Sequence, residues 1–102
     1  MTREKRASQR IETNEPGQIS WQDTSGNTSV ERIVLVNLAD KGAMIEMSRK
    51  LDLRLTVQLQ VLSRRIDGSA SVRYCRQKGL RYLIGLELFD SINAKPKVQR
   101  WT

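Results

Sequence analysis

Apolar residues in this chain recur mostly at every second position, in short runs separated by polar turn sequences. Gln18 to Gln22 opens the series, Asp23-Thr24-Ser25-Gly26-Asn27 reads as a hairpin loop, and a β-branched run follows from Thr28 to Leu38. Ala43, Ile45 and Met47 then alternate with Met44, Glu46 and Ser48. After a charged link at 48–54, Leu55, Val57, Leu59 and Val61 alternate with Thr56, Gln58 and Gln60. Ile66, Gly68, Ala70, Val72 and Tyr74 oppose Asp67, Ser69, Ser71, Arg73 and Cys75. Beyond a Gln77-Lys78-Gly79 turn, a sixth run places Tyr82, Ile84, Leu86 and Leu88 on one face. Tyr74 and Tyr82 both read as core residues in this pattern.

Strands with one apolar face each, joined by short links, cover that face and lose their edges when an antiparallel sheet closes on itself. The expected fold is therefore all-β, a six-stranded antiparallel β-barrel over residues 17–90. Residues 1–16 hold few apolar side chains and much charge, so they cannot bury enough surface to order themselves; a flexible basic arm is expected there. Residues 91–102 form a C-terminal tail interrupted by Pro96, in which Val98 and Trp101, three apart, are expected to make a short helical turn that caps the barrel.

Composition narrows the chemistry. The 102 residues suffice for one domain, and no apolar run approaches the roughly 20 residues of a membrane span. Met1 leads into Thr2, Arg3, Glu4 and Lys5 with no apolar signal segment, so a cytoplasmic protein without membrane insertion is expected. A single cysteine, Cys75, excludes an internal disulfide. The absence of histidine leaves no Cys/His zinc ligand set and removes the commonest general base. Neither an enzyme nor a metal centre is expected.

The net charge of +7 lies in two blocks. Residues 1–10 carry four basic and one acidic side chain, and residues 49–81 carry nine and two, whereas residues 11–48 between them carry two and six. Phosphates, nucleic acid or an acidic protein face would suit such blocks, and so would a plain solvated surface.

Two local patterns stand out. Arg6-Ala7-Ser8-Gln9-Arg10 sets two guanidinium groups four residues apart on the arm, each a planar fork that matches phosphate oxygens or the O6 and N7 edge of guanine. Asn37-Leu38-Ala39-Asp40-Lys41-Gly42-Ala43 is a turn between two strands, where Asn37 offers an amide and Gly42 permits a positive φ and close backbone approach. Taken singly, the first is also what a basic tail produces by chance, and the second is an ordinary hairpin turn.

In order and separation the two together resemble the signature of the PilZ family, an Arg-x-x-x-Arg arm followed by Asp/Asn-x-Ser-x-x-Gly. Gly17 to Trp21 resembles the family's first strand. Gly68 to Arg76 with Gly79 to Asp90, ending Ile84-Gly85-Leu86-Glu87-Leu88-Phe89-Asp90, resembles its closing hairpin. The resemblance implies a barrel that binds cyclic di-GMP on its outer surface, with the arm folding over the ligand and a downstream protein partner receiving the signal. It implies that Arg6 and Arg10 contact phosphate and guanine, that Asn37 reads a guanine edge, that Gly42 lets the turn approach, and that Lys5 adds a phosphate contact. Ala39 departs from the family's serine, which removes one hydroxyl hydrogen bond worth about 0.5–1.5 kcal/mol. Two other readings stand beside this one. A barrel binding single-stranded nucleic acid would need clustered aromatic side chains, and the five here are dispersed. A protein-interaction adaptor of the same fold without a ligand would fit Ala39 but not the paired arginines.

Overall fold

The computed structural model describes residues 11–89. Its elements are β1 (Ile11–Gln22), β2 (Thr28–Ala39), β3 (Gly42–Met47), β4 (Thr56–Val61), a short 3-10 turn (Leu62–Arg64), β5 (Ile66–Lys78) and β6 (Arg81–Leu88). Every pairing is antiparallel, and the strands close into a barrel in the order β1-β2-β3-β6-β5-β4. The all-β fold and the six-stranded closure follow from the alternation in the sequence.

Inward positions supply one continuous core. Ile19, Leu35, Ile45, Met47, Leu59, Val61, Val72 and Ile84 are all fully buried, and each comes from the apolar face of its strand. At one end of the barrel the buried Trp21 ring lies under the Arg49 guanidinium, 5.2 Å from the ring centroid, and Arg49 also pairs with Glu31 at 3.2 Å. The Asp23–Asn27 loop is held by Asp23, whose Oδ1 accepts from the backbone N–H of Ser25 (2.9 Å) and Asn27 (3.0 Å). Gly26 takes the positive φ of 86° that this turn requires.

Two expectations are corrected. Residues 11–16 belong to the barrel and not to the arm, because they are held by polar pairing where apolar burial is scarce. The Thr13 hydroxyl donates to the Leu35 carbonyl oxygen at 2.5 Å inside the barrel wall, beside a register shift between Glu12 and Glu15. The Glu15 carboxylate accepts from Ser63 Oγ (2.8 Å) and Arg64 Nε (3.0 Å), which together hold its pKa below the usual carboxylate range. Pro16, without an N–H, sits on the part of β1 that ladders with β2 alone, since β4 joins only from Gln18 to Ser20.

The second correction concerns Tyr74. A bulge between Val72 and Tyr74 breaks the alternation of β5, so Tyr74 turns outward at 41% exposure and Cys75 packs against the core in its place. Tyr82 packs against the core as expected. The expected helical turn around Val98 and Trp101 lies outside the described residues.

Candidate functional site

The segment singled out between the second and third strands folds as a tight hairpin. β2 continues to Ala39 and β3 starts at Gly42, so Asn37 and Ala39 are strand residues and only Asp40 and Lys41 form the turn. Gly42 does not use the positive φ that its missing side chain permits. It pairs with Ala39 on one side and Glu87 on the other as extended backbone, and a methyl carbon placed on it would meet only the Leu86 carbonyl oxygen, at an ordinary 3.5 Å. The barrel therefore imposes no steric demand for glycine at 42.

Register sets the outer surface here. Asn37 faces Glu12 on β1 and Met44 on β3; Met44 faces Gly85 on β6; Gly85 faces Tyr74 on β5. These residues make one outward row across five adjacent strands, alternating with inward Leu38, Ala43, Ile45 and Ile84. Asn37 is half-buried, and its Nδ2 donates to Met44 Sδ at 3.8 Å. Among the described residues that is its one side-chain hydrogen bond, so the amide oxygen and the second N–H are open to a further partner.

Tyr74 covers Gly85. A Cβ at 85 would fall 2.3 Å from Tyr74 Cε2, so the ring lies directly on the glycine backbone. The bulge that turns Tyr74 outward thus places an aromatic ring at the far end of the row that begins with Asn37. Sequence reasoning missed this residue. The only signal for it was the Tyr74 and Gly85 pair itself, a large aromatic opposite a glycine on neighbouring strands.

Next to this row runs a lower one, Ala39, Gly42, Glu87 and Ser71. With a methyl and a hydrogen at its first two positions it forms a shallow floor, flanked by the ion pair of Arg73 with Glu87. A separate shallow depression of about 260 Å³ is lined by Ser20, Trp21, Gln22, Thr28, Thr56, Val57, Gln58 and Ser69. It holds no charged side chain and shares no residue with the Asn37 row.

Lys5, Arg6 and Arg10 lie outside the described residues. The barrel nevertheless fixes where the chain that carries them enters. Ile11 pairs with Leu38, inside the Asn37–Gly42 segment, and Arg10 precedes Ile11 directly in the sequence. Among the described residues no group of three His, Cys, Asp or Glu side chains could hold a metal ion, and no helix is long and apolar enough to cross a membrane. A scan against protein-family models finds no match to this chain, and a search of curated proteins finds no significant relative.

Proposed function

We propose that the chain is a PilZ-type receptor, with no catalytic activity of its own, that binds cyclic di-GMP on the outer face of the barrel around Asn37. The observation that carries this reading is the pairing of Ile11 with Leu38. It brings the entry of the Arg-x-x-x-Arg arm to the hairpin that bears the second half of the motif. Arg6 is five residues before Ile11, a reach of up to roughly 17 Å for extended chain, so both guanidinium groups can close over the hairpin.

The face suits the ligand. Asn37 supplies an amide for a base edge, and Ala39 with Gly42 leaves a low floor that a phosphate or sugar can approach. Tyr74 offers a ring face at the far end. The arginines supply what this face lacks, since Glu12 and the neutralised Arg73–Glu87 pair give it little positive charge of its own. Gly42 is also better explained this way, because neither its φ nor its surroundings require glycine for the fold. Closure of the arm over the nucleotide would then be the change that a downstream protein partner reads.

The test is an amide NMR titration of the full chain with cyclic di-GMP. The reading expects the signals of residues 3–12 to shift together with those of Asn37, Gly42 and Tyr74. Shifts confined to other strands, with residues 3–12 unmoved at saturation, would overturn it.

A further inference from the structure

The β5–β6 hairpin runs on past the barrel wall. β3 ladders with β6 as far as Met47 opposite Tyr82, and β4 ladders with β5 as far as Thr56 opposite Ser71. Arg54 and Leu55 extend the second ladder by one step. The Arg54 N–H donates to the Val72 carbonyl at 2.7 Å, and the Val72 N–H donates to the Leu55 carbonyl at 3.0 Å. From Tyr74 to Lys78, β5 is laddered to β6 alone among the described residues. Among the described residues, one edge of this stretch therefore presents unpaired backbone donors and acceptors, which is a template for another strand.

The edge is positively charged. Arg76 is exposed and has no ion pair among the described residues, while Lys78 and Arg81 share one carboxylate, Glu46, at 3.7 and 2.9 Å. Beyond them, at the hairpin tip, Leu80 is 94% exposed. A second copy of the chain pairing antiparallel along this edge about Gln77 would set Arg76 opposite Lys78 of the other copy, and directly opposed like charges are destabilising. The same charges attract a strand that carries carboxylates.

We propose that the Tyr74–Lys78 edge of β5 docks an extended acidic segment of a partner protein, which adds to the sheet as a further strand. Main-chain hydrogen bonds supply the attachment, Arg76 and Lys78 select for acidic side chains, and Leu80 gives an apolar contact at one end. Tyr74 belongs to both faces, but Arg76, Lys78 and Leu80 lie toward the hairpin tip, at the opposite end of β3 from the Asp40–Lys41 turn. The inference does not depend on the nucleotide reading and can fail separately from it.

The experiment uses the full chain and a short synthetic peptide of alternating glutamate and threonine. Its control is the same peptide N-methylated on alternate residues, which keeps the charge and removes main-chain donors. The amides of residues 75–78 should shift and exchange more slowly with the first peptide. The methylated peptide should bind at least about tenfold more weakly, as should the first peptide to the double variant Arg76→Glu/Lys78→Glu. Equal binding of both peptides would reduce the effect to diffuse charge and overturn the proposal. So would slow exchange along this whole stretch in the free chain, which would mean that the edge is already covered. Tighter binding to vesicles containing phosphatidylserine than to the peptide, lost in Leu80→Ser, would assign the hairpin to a lipid surface instead.

Discussion

Gly17 sits where β1 begins to meet β4, and replacing it with alanine tests how the barrel closes. A methyl carbon there would lie 2.7 Å from the Gln60 carbonyl oxygen, 2.9 Å from Val61 Cγ2 and 3.2 Å from Ile33 Cδ1. The two side-chain carbons can move by a few tenths of an ångström. The carbonyl cannot, because Gln60 is laddered on both sides, to Gln18 and to Asp67. Relief requires β1 and β4 to separate along a contact only three residue pairs long, Gln18–Gln60, Ile19–Leu59 and Ser20–Gln58. Overpacking costs about 1–3 kcal/mol, occasionally more, and a backbone obstruction belongs in the upper part of that range. We expect Gly17→Ala to lose about 2–3 kcal/mol, which for a domain of this size lowers Tm by roughly 8–24 °C. Urea unfolding followed by tryptophan fluorescence measures it, with Gly68→Ala as the control. Gly68 has nothing within 4 Å of the added carbon and no positive φ, so alanine there should be neutral or gain up to about 1 kcal/mol from the less flexible unfolded chain. If Gly17→Ala stays within about 0.5 kcal/mol of the parent, the β1–β4 seam is not closed as tightly as argued, and the reasoning fails.

Three further outcomes follow from the same geometry. Gly42→Ala should keep stability within about 0.5 kcal/mol, since its neighbours leave room for a methyl, yet weaken cyclic di-GMP binding; a large stability loss by thermal melting would show that glycine serves the fold. Ala39→Ser should tighten binding by about 0.5–1.5 kcal/mol at constant stability without ligand, and a clear loss of affinity would remove the hairpin from the site. The Glu15 carboxyl is held below its ordinary pKa by Ser63 and Arg64, so its contribution is complete above the unfolded-state pKa and disappears as pH falls through the folded-state value. Glu15→Gln should thus differ in stability from the parent at about pH 7, with the gap closing in acid; a gap independent of pH would refute that pairing.

Where the sequence foretold the structure, side-chain alternation was enough. Val57, Leu59 and Val61 face inward along β4, and Leu55 just before it packs against the same core, because period two and a single buried face leave only one register. It fell short where hydrogen bonds rather than apolar burial decide the fold. The stretch from Ile11 to Pro16 has almost no apolar pattern, yet it is a strand because Thr13 and Glu15 are bonded to Leu35, Ser63 and Arg64. Tyr74 was misplaced because a one-residue bulge reverses the faces of every residue beyond it, and nothing local to Arg73 announces the bulge. Asn37, Ala39 and Gly42 were legible through their spacing. Their placement in two neighbouring rows of the barrel wall was not, because strand pairing runs through Ala39 and Gly42 and leaves only Asp40 and Lys41 to the turn, where the polar residues from Asn37 to Ala43 suggest a wider one.

Nucleotide binding by the arm together with the hairpin is put to the test by a calorimetric titration of cyclic di-GMP onto the full chain. Binding is expected that Arg6→Ala or Arg10→Ala weakens by about 1.5–3 kcal/mol, roughly 10- to 150-fold, and that Arg54→Ala in the other basic block hardly changes. No binding by the parent chain, or equal losses at all three arginines, would contradict it.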